Sequence, residues 1–249
     1  EITMDFNKIR EQYAKMEGNH QSNSGGGDFI KKFYSIPEGN SVVRILPTSD
    51  EEKLFYAETA IHRVPMGDGQ TRNFHCRKVH GEACPICDAY YALWKEPYND
   101  ESLARQIKPR ARYYMNVVDR ATDEVKILSV GVILFKKIIS TILDEDYGDV
   151  TKLEEGHDFK LNKVMEGPWP KYDQSAFRPK ATAAGTKKQI AEWMDELHEI
   201  HGLVKLEEYD TFKQVADTLL AGKGVPERTP NDSPSSEVSD DDYLSRLKG

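Results

Sequence analysis

Residues 75–87 read HCRKVHGEACPIC and contain all three cysteines of the 249-residue chain. Three cysteines cannot all pair within one chain, so the count favours reduced thiols that can bind a metal over a set of disulfides. The spacing is C-x7-C-x2-C. This segment therefore raises three possibilities, namely a redox dithiol, a zinc enzyme and a structural metal site.

The first two possibilities fit the segment poorly. A thioredoxin-like dithiol made by Cys84 and Cys87 belongs in a βαβ unit, and no parallel-sheet pattern surrounds these residues. His80 and Glu82 followed by C-x2-C superficially match zinc deaminases. In those enzymes the two elements lie on separate helices, whereas here only Ala83 separates them.

A structural zinc site explains the segment best. Cys76, Cys84 and Cys87 with one histidine make four ligands, which is the closed set of a structural site rather than a catalytic one. We therefore expect one structural Zn²⁺ as the cofactor. His62, His75 and His80 compete for the fourth position, and the extended backbone expected at His75 and Cys76 points those two side chains apart.

The rest of the chain predicts a mainly β fold with added helices (α+β). Stretches rich in Val, Ile, Tyr and Phe predict strands at residues 29–34, 41–46, 54–61, 113–118, 125–133 and 157–164. Apolar residues at helical spacing predict helices at 84–96, 134–143, 186–200 and 206–220. Short, irregularly spaced strands favour a barrel or sandwich, and we expect the last two helices to close it as a hairpin.

The ends of the chain differ in composition from the middle. Residues 1–27 combine a short helical pattern with a Gly-rich tether, and residues 222–249 are rich in Gly, Pro, Ser and Asp. We expect a core at 28–221 and a disordered acidic tail. The longest apolar run, residues 130–135, is too short to span a bilayer, and no signal-peptide pattern is present, which favours the cytoplasm.

Charge is unevenly distributed along the chain. The formal net charge is -8, yet residues 103–112 hold Arg105, Lys108, Arg110 and Arg112 without an acid. A second, looser basic stretch covers residues 171–188. Aromatic residues are interleaved with both stretches, a combination that favours binding to nucleic acid.

The ordered motifs together resemble a known family. They are VVRILP at 42–47, His62, Cys76, CPIC at 84–87, the basic run leading into YYMN at 113–116, YDQSAF at 172–177 and the two final helices. In this order they are similar to the single-stranded DNA-binding protein of T-even-type bacteriophages, the gene 32 type of helix-destabilising protein. The similarity covers most of residues 28–220.

The resemblance implies an OB-fold core with an inserted zinc subdomain at about residues 54–100. It assigns the zinc ligands as His62, Cys76, Cys84 and Cys87, which selects His62 among the three histidines. It also implies contacts with single-stranded DNA by basic and aromatic side chains, namely Arg44, Tyr98, Lys108, Arg110, Arg112, Tyr113, Tyr114, Trp169, Lys171, Tyr172, Phe177 and Arg178. Because side chains alternate along a strand, one of Tyr113 and Tyr114 should face the core.

The resemblance further implies a non-enzymatic protein that coats and protects single-stranded DNA without sequence preference during phage replication, recombination and repair. No catalytic residue is expected, and the location would be the cytoplasm of the infected bacterial host. Self-association along DNA is possible, and the acidic tail, ending near Asp240, Asp241 and Asp242, would contact replication and recombination proteins. The alternative is a zinc-stabilised protein-interaction adaptor without affinity for single-stranded DNA.

Overall fold

The structure of the protein is a computed structural model that describes residues 31–50, 52–66 and 69–221. The predicted N-terminal helix and tether and the acidic tail lie outside these residues. The strands of the described chain form one mainly antiparallel sheet. In chain order they are β1 (Gly39–Ile45), β2 (Tyr56–Pro65), β3 (Thr71–His75), β4 (Arg110–Asp119), β5 (Val125–Gly131), β6 (Asp158–Glu166), β7 (Trp169–Lys171) and β8 (Ala176–Phe177).

Helices are added to this sheet, and four of the five α-helices in the described residues overlap the predicted ones. They are α1 (Pro85–Ala92), α2 (Glu101–Ile107), α3 (Val132–Ile142), α4 (Lys187–Asp195) and α5 (Tyr209–Ala221), with a short 3₁₀ helix at Arg77–His80. Gly81, at a φ of 79°, ends the 3₁₀ helix in the left-handed conformation that glycine adopts readily. Within the described residues, no helix has the length and apolar character needed to cross a membrane.

Strand β4 pairs with three other strands of the sheet. Along one edge its N-terminal part pairs with β2 and its C-terminal part with β1, while β5 pairs along the opposite edge. Strand β1 also pairs with β6, and α3 connects β5 to β6. With β2 and β3 left aside, the chain order is β1, β4, β5, α3 and β6. This order is the one expected for the predicted OB-fold core.

The main core lies between the sheet and α3. Apolar side chains of β1, β4, β5 and β6 meet there with Phe135 and Ile138 of α3, and these residues are nearly or fully excluded from solvent. Stretches rich in Val, Ile, Tyr and Phe form these strands, and their apolar side chains make up the inner face of the sheet. The mainly β class predicted from the sequence is therefore confirmed.

A second cluster surrounds the three cysteines. It joins side chains of β2, β3, α1 and α2 to Phe212 and Ala216 of α5. The rings of Phe74 on β3 and Phe212 meet edge to face, with centroids 5.5 Å apart. The cysteine segment is thus folded into a small apolar unit at one end of the sheet, and α5 is part of it.

The two C-terminal helices form, but they pack on different parts of the molecule rather than as the expected hairpin. Helix α4 begins with a capping box between Thr186 and Gln189, and its Trp193 packs on Leu46 and Val118 of the sheet. Helix α5 packs on α1 beside the cysteines. The apolar face of each helix has its own partner, so the spacing predicted the helices but not their packing.

Candidate nucleic-acid interface and metal site

Four predicted ligands come together in the second cluster. His62 lies on β2, Cys76 follows β3, and Cys84 and Cys87 stand at the start of α1. All four are buried, and their ligand atoms lie within 4.8 Å of one another. This group could hold one metal ion.

The distances within the group fit a tetrahedral metal. His62 Nε2 lies 3.6 Å from Cys84 Sγ and 3.5 Å from Cys87 Sγ. Cys76 Sγ lies 3.9 Å from Cys84 Sγ and 3.4 Å from Cys87 Sγ. Tetrahedral zinc with ordinary bond lengths requires about 3.6 Å between nitrogen and sulfur and about 3.8 Å between sulfurs. The residues present therefore fit such an ion closely.

A hydrogen bond orients the His62 ring. Its Nδ1 lies 2.7 Å from the carbonyl oxygen of Ile107, so this nitrogen donates its proton and Nε2, which faces the sulfurs, would supply the lone pair for a bound metal. Outer partners of this kind fix the tautomer of metal-binding histidines. His75 and His80 are placed elsewhere, each 3.3 Å from the Thr59 hydroxyl.

The thiols influence the ionisation of one another. Contacts with Cys76 and Cys87 hold the pKa of Cys84 far below that of an ordinary thiol, while contacts with Cys76 and Cys84 raise the pKa of Cys87. Burial lowers the pKa of His62, but its contacts with Cys76 and Cys84 outweigh burial and raise that pKa to about 9. Binding of a cation would therefore release protons from Cys87 and His62, because metal ligands must be deprotonated.

The arginines of the described residues fall into two groups. One group pairs with carboxylates and comprises Arg44, Arg72, Arg77, Arg105, Arg120 and Arg178. Arg63, Arg110 and Arg112 make no ion pair with any residue in the described ranges. As far as the described residues go, the guanidinium groups of the second group are therefore available to an external anion.

Strand register places these unpaired arginines on one face of the sheet. Arg110 is opposite Ile61 and Arg112 is opposite Thr59 in the β2·β4 ladder. Arg63 is two residues beyond Ile61 on β2, and side chains two residues apart point to the same face. Two chain segments that are distant in sequence thus form one basic surface.

A concave pocket of about 190 Å³ opens on this surface. Arg63 and Arg110 line it with Thr71, Gln106 and Trp169. Trp169 comes from the β6·β7 hairpin, and 61% of its surface is exposed. Cations and an exposed aromatic ring therefore meet in one cleft, which is the combination that binds phosphates and stacks bases.

The other residues predicted to contact DNA lie at or near the surface and differ in their exposure and in their charged neighbours. Lys108 is exposed and Arg112 is half-buried; the charge of Arg112 acts on Tyr172, whose pKa is raised mainly by burial. Lys171 is exposed but lies 3.0 Å from Glu166. Arg178 is exposed and approaches Asp158 at 3.9 Å.

Burial corrects the predicted role of four aromatic residues. Tyr98 is 3% exposed and belongs to the metal-site cluster. Tyr113 stacks on Phe135 with centroids 3.6 Å apart, and Tyr114 and Phe177 are 6% and 5% exposed. Both tyrosines of the pair are interior, because each face of β4 is covered at that point. These four rings therefore have little exposed surface on which a base could stack.

The predicted role of Arg44 is also corrected. The resemblance implies a DNA contact, but the side chain is fully buried. Its guanidinium lies 3.3 Å from Asp158 and donates to the carbonyl oxygen of Thr182 at 2.6 Å. Arg44 therefore joins β1 to β6 and to the loop before α4.

Arg63, like Thr71 and Gln106, lines the pocket but was not predicted as a binding residue. Its position next to His62 suggests charge compensation at the metal site. Only the pairing of β2 with β4 brings it beside Arg110. The single available signal was alternation along β2, which sends Arg63 to the opposite face from His62.

Arginines that make no ion pair within the described residues meet an exposed tryptophan in one cleft, and this combination is typical of nucleic-acid-binding proteins. The chain belongs to the family described as gp32 DNA binding protein like, whose model matches residues 37–221. This family binds DNA, and membership supports binding to single-stranded DNA. No match was found among curated proteins.

Proposed function

We propose that the protein binds single-stranded DNA without sequence preference in the pocket between β2, β4 and the β6·β7 hairpin. The observation that carries this proposal is the meeting of Arg63, Arg110 and Trp169 in one cleft. Arginines attract phosphates of any sequence, and an indole ring can stack on any base. Family membership supports the same ligand.

Within this proposal, exposed Lys108, Lys171 and Arg178 and half-buried Arg112 and Tyr172 extend the binding surface beyond the pocket. Phosphates would displace Glu166 from Lys171, a substitution that costs little because exposed ion pairs are weak. The proposed surface therefore continues from β4 along the β6·β7 hairpin. Contact with the backbone rather than with base edges accounts for the lack of sequence preference.

We further propose that the metal is zinc. Three sulfurs and one imidazole suit Zn²⁺, and four protein ligands leave no position for a reacting water. When bound, the ion supplies cross-linking of β2, β3 and α1 and no reaction step. This closed site supports a binding protein rather than an enzyme.

The biological role proposed is the coating and protection of single-stranded DNA during replication, recombination and repair in a phage-infected bacterial cytoplasm. The resemblance of the sequence motifs to phage proteins supports this role. The acidic segment that includes Asp240, Asp241 and Asp242 lies outside the described residues, and its proposed partners are replication and recombination proteins. Self-association along the DNA belongs to the same proposal.

Titration of the protein with oligo(dT) and with a duplex of equal length tests the function. We expect the single strand to bind far more tightly and to quench tryptophan emission, since a stacked base lies against Trp169. Trp169→Ala should lose about 1–3 kcal/mol of binding free energy, the contribution of one stacked base. Leu143→Ala, which changes an exposed apolar residue on the loop after α3, is the control.

Two results would count against the proposal. Equal affinity for duplex and single strand would indicate a different nucleic-acid ligand. No response to either DNA would favour the protein-interaction adaptor.

A further inference from the structure

An aromatic surface lies at the C-terminal end of α1 and in the turn that follows it, outside the proposed pocket. Tyr90 is 5.0 Å from Tyr91 and 6.3 Å from Trp94, measured between ring centroids. Tyr91 and Trp94 are 45% and 37% exposed. Large aromatic rings usually bury their surface, so this exposed group is a candidate binding surface.

A cation lies against each of the two exposed rings. Lys78 Nζ is 5.8 Å from the centroid of Tyr91, and the guanidinium of Arg105 is 5.6 Å from that of Trp94. These distances are within the range of a cation–π contact. The surface thus repeats, on a smaller scale, the combination of cation and ring found in the pocket.

Acidic groups moderate the charge of this surface. Arg105 lies 2.7 Å from Glu101 on α2, and Asp88 is exposed on α1. A phosphate here would compete with Glu101 for Arg105. Binding at this surface should therefore depend more on stacking and less on charge than binding in the pocket.

Helix α2 connects the two surfaces. Gln106 lines the pocket with Arg110 and Trp169. The preceding residue, Arg105, lies against Trp94. A strand that leaves the pocket past Gln106 therefore reaches the aromatic surface by crossing one exposed helix.

We propose that single-stranded DNA leaving the pocket crosses α2 and stacks on Trp94 and Tyr91, which form a second stacking site for the same strand. This inference rests on the proposed function and extends its binding path. The chemistry of the surface identifies the ligand. Every base has a face that can stack on these rings, and the cation beside each ring can attract a phosphate of the same strand.

Oligonucleotide length separates the second site from the first. Affinities of the full chain and of Trp94→Ala are measured with labelled oligo(dT) of about 4 and about 16 nucleotides, which span the usual site sizes of such proteins. We expect the variant to bind the short strand as the unchanged protein does and the long strand about fivefold or more weakly, as expected for one lost stacked base. Trp94→Phe, which keeps a stacking face, should recover most of the affinity for the long strand.

Two outcomes overturn the second site. Either Trp94→Ala binds the long strand as tightly as the unchanged protein, in which case the surface serves a protein partner, or it weakens both strands by the same factor. Failure of the pocket itself looks different, since Trp169→Ala would then leave both affinities unchanged. If metal content or thermal unfolding shows that Trp94→Ala is misfolded, Tyr91→Ala is measured in the same way and decides between the same outcomes.

Discussion

His62 supplies the one nitrogen of the metal site. It is the single ligand outside residues 75–87, and its ring is held between the Ile107 carbonyl and the three sulfurs. The site therefore links β2 of the sheet to the cysteine segment. Loss of this ligand should open the closed coordination sphere.

We expect His62→Ala to lower metal affinity by more than about 100-fold. Loss of a residue that only hydrogen-bonds to a ligand lowers metal affinity by up to about 100-fold, and loss of a ligand itself should cost more. Metal analysis of the purified protein and competition with a chelator would measure this. His80→Ala is the matched control, because its ring contacts Thr59 instead of the cysteines. Equal metal content in both variants would rule out His62 as a ligand.

Asp158 neutralises more positive charge than any other described carboxylate. Its oxygens lie 3.3 Å from Arg44, 2.7 Å from Arg120 and 3.9 Å from Arg178. Arg44 is fully buried, so its charge depends on this acid.

Asp158→Asn should lower the free energy of unfolding by about 3–5 kcal/mol, as expected when a buried ion pair loses one partner. Urea unfolding would measure the change. Glu166→Gln removes an exposed pair with Lys171 and should leave the free energy of unfolding unchanged. A similar stability for the two variants would contradict the structural role given to Arg44.

At the scale of elements, the stretches rich in Val, Ile, Tyr and Phe were the predictable part. Strands β1, β4, β5 and β6 coincide with such stretches. Strand β3 was missed because only Phe74 among its five residues is apolar. Helix α2 was missed because its sequence reads as part of the basic run.

The sequence also could not show which of the predicted aromatic side chains are exposed. Aromatic and basic residues interleaved near β4 led us to predict a binding site there, but one-dimensional spacing does not reveal how many faces of a strand are covered. Both Tyr113 and Tyr114 are buried because α3 covers one face of β4 and a small apolar cluster covers the other. Arg63 could be recognised only after β2 was paired with β4.

Helix α5 is the element that packs against α1 in the metal-site cluster. Phe212 is fully buried against Phe74. Phe212→Ala should lower the free energy of unfolding by about 3–5 kcal/mol, the usual cost of removing a buried phenyl ring, and should accelerate metal loss. Lys213→Ala, an exposed neighbour, should change stability by less than about 0.5 kcal/mol. Unaltered metal retention in Phe212→Ala would argue that α5 does not brace the site.

At the scale of the whole molecule, net charge and local charge point in opposite directions. The chain carries a formal charge of -8, yet Arg63, Arg110 and Arg112 form a face without paired acids in the described chain. The remaining described arginines are neutralised within the fold. An acidic protein can thus present a basic cleft to DNA.

The salt dependence of oligo(dT) affinity tests this account most directly. Each phosphate neutralised on a single strand contributes about 0.7 to the slope of log affinity against log salt. Replacing Arg63 and Arg110 together with glutamine should reduce the magnitude of that slope by about 1.4. Replacing Arg72, which pairs with Glu207, should leave the slope unchanged. An unchanged slope in the Arg63 and Arg110 variant, or the same decrease in the Arg72 variant, would contradict the assignment of this face as the DNA-binding surface.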